Sequence, residues 1–295
     1  MTLGRSLAAV GVLTGFFVCP RAAAQDAVAA APLDQLLERA GDYVSAFQAA
    51  FTHVVGVERY RQEVHAPGGG DMADLESEVF FVGLDDRRTW LTIRHVLSVN
   101  GRSVADSGGS VIDLLAERGG RARLRELADA GAQYNIGSLQ RNFNDPMLAL
   151  QFLGRESQKR FRFRHDGGET VNGIPAHRVA FDERERPTII RDARSRRDVP
   201  ASGVLIIDDD GTVLRSELGL QAPRRTQSKI RVTFEHEPRV EMMVPRLMEE
   251  EYRTAGSSRS REVITCRATY SNYRRFETGG RIIIPEAAQP NSRWP

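Results

Sequence analysis

The chain has 295 residues, with 41 Lys and Arg against 39 Asp and Glu and a formal charge of +2. Without Arg5 and Arg21, both near the N-terminus, basic and acidic residues balance at 39 each, which argues against electrostatic capture of nucleic acid or anionic lipid. There are 2 cysteines, and if Cys19 leaves with an N-terminal segment, Cys266 has no partner for an intrachain disulfide.

The first element is a stretch without charge from Ser6 to Cys19, behind Arg5 and ahead of Ala22, Ala23 and Ala24. This is the pattern of a cleavable secretory signal, with cleavage expected after Ala24 or Gln25 and the mature protein in the periplasm. The stretch is too short to span a bilayer, and no later segment is longer and free of charge, so the mature protein is expected to have no transmembrane helix. The alternative is that Cys19 is a lipid-attachment cysteine, against which Val18 stands where bacterial lipoproteins usually carry a small residue.

Residues 26–32 read as a linker. From Leu33 to Phe51 apolar residues recur at steps of three and four (Leu33, Leu36, Leu37, Ala40, Val44, Phe47, Phe51), predicting an amphipathic helix. The period then shifts toward two. Phe51 to His65 and Leu75 to Leu84 are expected strands around the turn at Pro67 to Gly70. Thr89 to Asp106 is an expected hairpin with Asn100 and Gly101 at its tip. A helical interruption follows. Ser110 and Asp113 resemble a capping box ahead of Val111 to Arg118, Arg121 to Ala130 resumes the pattern, and Asp145 with Pro146 opens the apolar run Met147 to Leu153. Strands are expected again at Phe161 to His165, Val171 to Phe181, Val204 to Ile207, Val213 to Leu220, Lys229 to Glu235, Val244 to Tyr252 and Val263 to Tyr273. Residues 187–197 are expected to be an exposed loop, and 279–295 a C-terminal tail. The fold class is α+β: a curved antiparallel β-sheet, an open half-barrel, with an N-terminal helix and a central helical lid in one domain over 33–278.

No pattern of catalytic residues stands out. None of the histidines, His53, His65, His95, His165, His177 and His236, has another three or four positions away, the spacing that sets metal ligands on one helix face, and no metal or cofactor is expected. Asp208-Asp209-Asp210-Gly211 lacks the spaced oxygens and final glutamate of a calcium loop and reads as a hairpin tip. Asp106-Ser107-Gly108-Gly109 echoes a serine-protease nucleophile but stands ahead of a helix start, as a loop would. A hydrolase would need His95 or His177 beside a serine and a carboxylate. Glu249, Glu250 and Glu251 alternate faces on a strand and read as a solvated edge. Cys266 is expected to face the core with Ile264 and Ala268.

The stretches Thr170-Val-Asn-Gly-Ile-Pro-Ala-His-Arg-Val-Ala-Phe181 and Gly203-Val-Leu-Ile-Ile-Asp-Asp-Asp-Gly-Thr-Val-Leu-Arg215, then Val244-Pro245 and Ala268-Thr-Tyr-Ser-Asn-Tyr-Arg-Arg-Phe276, together with the order of elements, resemble the lipoprotein-carrier superfamily. The resemblance implies a curved sheet wrapped over a helical lid around an apolar cavity. It also implies a non-enzymatic envelope protein whose partner is a lipid or lipoprotein acyl chain. The alternative is a structural or sensory adaptor that binds another envelope protein, with the concavity filled by its own side chains. A carrier needs a void under the central helices and an adaptor needs none. Leu148 and Phe152, four apart, are expected to share a face toward the ligand, with Met147 and Phe47 beside them.

Overall fold

The computed structural model describes residues 32–51, 54–83, 90–104, 121–139, 141, 144–192, 195–222, 226–254, 261–277 and 281–283. The signal segment, all of the linker before Pro32, His53, Asp106 to Gly109, the capping box at Ser110 and the helix Val111 to Arg118 lie outside them, as do residues 284–295 of the tail.

Helix α1 (Leu33–Phe51) is followed by β1 (Val54–Ala66), β2 (Gly69–Gly83), β3 (Trp90–Val99) and β4 (Arg102–Ser103). The central segment carries α2 (Arg121–Gly131), two 3₁₀ helices (Ala132–Tyr134 and Leu148–Leu153) and a single turn, α3 (Arg155–Gln158). Then come β5 (Phe161–Val171), β6 (Ile174–Glu183), β7 (Ala201–Ile207), β8 (Val213–Ala222), β9 (Thr226–Glu237), β10 (Met242–Arg253), β11 (Val263–Glu277) and β12 (Arg281–Ile283). All pair antiparallel in one open sheet, in the order β4-β3-β2-β1-β11-β10-β9-β8-β7-β6-β5, with β12 added on β11. The strands β1 to β4 step outward to one edge, and the chain resumes at the other edge with β5 and meanders back to β1. The central segment joins the two edges.

Two Asn-Gly pairs close hairpins with the positive φ that a type I′ turn requires: Asn100 at 50° with Gly101 at 73°, and Asn172 at 51° with Gly173 at 82°. The second splits the single strand expected over Val171 to Phe181 into the end of β5 and the whole inner part of β6. The sheet also continues into the expected tail, where Arg281, Ile282 and Ile283 pair with Glu277, Phe276 and Arg275.

One face of the sheet is covered. Across it the register aligns Leu75, Tyr60, Ala268, Met248 and Val232 in one row, and Ala73, Gln62, Cys266, Glu250 and Ile230 in the next. Helix α1 presses Leu36, Ala40, Val44, Phe47 and Phe51 into this face, all of them buried. Its last turn has no basic residue of its own. Arg275 of β11 instead donates to Ala50 O at 2.7 Å and Val240 O at 2.8 Å, supplying the cation that a helix C-terminus favours. At its N-terminal half the helix touches the β7–β8 turn, where Gly211 has φ 89° and any Cβ would fall 2.5 Å from Arg39 C.

Candidate functional site

The inner face is not uniformly apolar. On β1 the inward residues are Glu58, Tyr60, Gln62 and Val64, and the exposures of Glu58 and Gln62 are both 0%. Glu58 is held by Arg94 of β3, whose Nη2 donates to Glu58 Oε1 at 2.8 Å while Nε donates to Oε2, a bidentate pair that shares the charge over four atoms. The guanidinium also lies 5.1 Å from the centroid of the Tyr60 ring. Burial works against the charge of Arg94, and Glu58 more than offsets it, leaving its pKa raised.

The second charged group arrives from the central segment. Arg141, fully buried, donates to Gln62 Oε1, to Cys266 Sγ at 2.7 Å and to Ile136 O at 3.0 Å, and stands 5.3 Å from the Tyr252 ring centroid. Gln62 completes the clasp, since its Nε2 donates to Tyr134 O at 3.0 Å and its Oε1 accepts from Ile136 N at 3.3 Å. A second clasp sits at the start of β11, where the Glu262 carboxylate accepts Ser138 N at 3.0 and 3.1 Å and also the Ser138 hydroxyl. Tyr134, Ile136, Ser138 and Arg141 are thus bound to the sheet through polar groups. Next to them, Asp145 Oδ1 accepts Met147 N at 2.8 Å, and Met147, Leu150, Phe152 and Leu153 are fully buried among apolar side chains. The far end is tied to α1 by Gln158, which donates to Leu37 O at 2.8 Å, and by Arg155 with Asp42.

Glu250 faces this cluster and corrects the solvated-edge reading. β10 lies inside the sheet between β9 and β11, so Glu249 and Glu251 point to the outer face, where they meet Arg267 at 2.7 Å and Arg253 at 2.6 Å, whereas Glu250 is 4% exposed. Burial pushes the Glu250 carboxyl up, against the opposing bond from the Tyr252 hydroxyl and the charges of Arg141 and Arg94. Burial likewise raises the Tyr60 and Tyr252 hydroxyls, with Glu250 adding to both, and pushes the Cys266 thiol up to about 12. At neutral pH all three are protonated, so Cys266 is a poor nucleophile. It faces the core between Ile264 and Ala268, as its alternation predicts.

The four residues expected to touch a ligand lie in the covered layer. Phe47 stacks on Phe51 with centroids 4.7 Å apart, and Phe152 stacks on Phe161 at 4.7 Å with Phe181 at 5.7 Å. Met147 is fully buried and Leu148 half-buried. The segment is a 3₁₀ helix of 6 residues, not an α-helix. At three residues per turn, positions four apart point about 120° from each other, so Leu148 and Phe152 do not share a face. Leu148 turns partly to solvent while Phe152 enters the core.

A smaller polar group lies toward the β5 edge. His177 of β6, 2% exposed, has Nε2 at 2.7 Å from Asp209 Oδ1 of the β7–β8 turn and Nδ1 at 3.3 Å from His165 Nε2. Its second nitrogen thus meets an imidazole, not a serine hydroxyl, which leaves the hydrolase constellation unformed there. Asp208 is spent on the turn, accepting Asp210 N at 3.0 Å and Thr212 N at 2.8 Å. Helical spacing could not reveal the histidine pair, because its members meet across the β5–β6 hairpin.

No protein-family model matches the chain, and no curated protein does. Among solved structures it is similar to a DUF1329 family protein from Desulfovibrio piger (9% identity, 85% of this chain and 95% of that one covered, TM-score 0.39). It is also similar to a LolA superfamily protein from Nitrosomonas europaea (10% identity, 84% and 95% covered, TM-score 0.31) and to the lipoprotein LppX of Mycobacterium tuberculosis (12% identity, 82% and 96% covered, TM-score 0.26). At these values the likeness carries no residue and no ligand from those proteins to this one. Among the described residues no helix is long and apolar enough to cross a membrane.

Proposed function

We propose that this is an exported, non-enzymatic envelope protein that holds an apolar group, a lipid or a lipoprotein acyl chain, on the inner face of its sheet under the cover formed by residues 134–139, 141 and 144–153. The observation that carries this reading is the division of the cover into two unlike halves. Residues 134–139 and 141 are held to the sheet through the polar contacts of Arg141, Gln62, Glu262 and Ser138 beside the partly buried Tyr134, Ile136 and Leu139, and residues 147–153 rest on it through the buried hydrocarbon of Met147, Ala149, Leu150, Phe152 and Leu153. A cover that served only to stay shut would gain from an apolar grip, since replacing buried charges with well-packed apolar groups is often neutral or stabilising. Polar partners can exchange one another for water when the cover lifts. The apolar half would then need a new partner. An acyl chain of about 12 methylenes brings ~10 kcal/mol of burial, at ~0.8 kcal/mol each, before ordering costs are subtracted.

The adaptor reading is favoured by a different observation. Phe47, Met147 and Phe152 are at most 3% exposed, so the inner face is packed by the protein's own side chains in this state. The two readings separate on uptake of a fluorescent fatty acid. Leu148 is half-buried, so the carboxylate of Leu148→Asp can reach water and the fold should persist, while a charge at the rim of the apolar half should reduce uptake at least tenfold. A folded Leu148→Asp protein that takes up probe as well as wild type would remove the carrier reading, and a wild type that takes up none would leave the adaptor.

A further inference from the structure

We propose that His165 and His177 form a binding site for a divalent transition-metal ion, with Cu²⁺ favoured over Ni²⁺ and Zn²⁺. The facing nitrogens, His165 Nε2 and His177 Nδ1, are 3.3 Å apart. Two nitrogens bonded to one ion at about 2.0–2.1 Å stand about 2.8–3.0 Å apart at the right angle of a tetragonal Cu²⁺ site and about 3.3–3.4 Å apart at a tetrahedral angle, so small side-chain rotations that draw the rings slightly together bring both to a common ion. The rings sit on neighbouring strands of one hairpin with centroids 5.5 Å apart, and the sheet pairing holds their backbones in place.

The third group makes this pair more than a chance contact. Asp209 is hydrogen-bonded to the far nitrogen of His177, which fixes the proton on Nε2 and leaves the Nδ1 lone pair facing His165. Carboxylates occupy this place behind metal-bound histidines, orienting the ring and raising its basicity. His165 reaches the ion if its proton moves to Nδ1. That displaces the long 3.4 Å contact from Gly167 N, in a glycine turn with φ 102° that is open to solvent. His165 is exposed, so the ion enters from the solvent side and water completes its coordination. Among the described residues no group of three or more His, Cys, Asp or Glu is arranged around one point, so this is a two-imidazole site. Such a site follows the affinity order that places Cu²⁺ first.

The test is a Cu²⁺ titration of the purified protein, free of any polyhistidine tag, near neutral pH. It would be read by calorimetry and by the nitrogen couplings of the bound-copper electron paramagnetic resonance spectrum. One equivalent should bind with two imidazole nitrogens. His165→Gln, at an exposed position that leaves the melting temperature unchanged, should weaken binding at least about tenfold. Asp209→Asn should weaken it by about 10–100-fold, the range for loss of an orienting carboxylate. His65→Gln, on β1, should change nothing. Wild type without a tight equivalent, or His165→Gln binding as wild type does, would overturn the proposal.

Discussion

Glu58→Ala is expected to lower the stability of the fold by about 3–5 kcal/mol, because it strands the Arg94 guanidinium without its counter-charge on the inner face of the sheet. The double replacement Glu58→Leu with Arg94→Met should recover most of that loss, since it removes both desolvated charges and returns hydrocarbon to an apolar layer. Urea denaturation of the three proteins measures both effects. If Glu58→Ala cost less than about 1 kcal/mol, the size of a solvent-exposed pair, the pair would have to be reached by water in solution.

Arg141→Met should have an effect of comparable size but a different distribution. The substitution removes the donors to Gln62, Cys266 and Ile136 O in a single step. The loss should appear first as faster amide hydrogen exchange across 134–139, while β9 and β10 keep their protection. Glu250 adds a pH signature. Its folded pKa is raised, so it binds a proton more tightly in the fold than in the unfolded chain, and its contribution to stability falls as pH rises from the ordinary glutamate range toward the raised folded value. Arg141 opposes that rise, so Arg141→Met should push Glu250 further up and extend the falling window to higher pH. Unchanged exchange over 134–139 would show that Arg141 does not secure the cover.

The parts legible in the sequence were those set by neighbours along the chain. The stripe Leu36, Ala40, Val44, Phe47, Phe51 marks α1, and the alternation Ile230, Val232, Phe234 marks β9, through periods that need no tertiary knowledge. The polar cluster was half legible. Glu58 and Gln62 fall on the same parity as Tyr60 and Val64, which already places them on the inward face of β1. Their partners were not legible, because Arg94 and Arg141 lie 36 and 79 residues further along and meet them only through sheet register and the path of the cover. Glu250 was misread for a related reason. Three glutamates in a row look solvated until β10 is known to be flanked on both sides, which buries one face of the strand and with it the middle carboxyl. The 3₁₀ form of Leu148–Leu153 was hidden by its length, since 6 residues between Met147 and Gly154 fit either helix and only the backbone distinguishes them.

Native mass spectrometry of the protein purified from an envelope fraction, before and after organic extraction, tests the acyl-binding reading most directly. A population heavier than the polypeptide by the mass of one lipid is expected. That excess should vanish on extraction, return on incubation with fatty acid and be absent from Leu148→Asp. A single species at the polypeptide mass throughout, from lipid-replete membranes and after incubation with fatty acid alike, would contradict it.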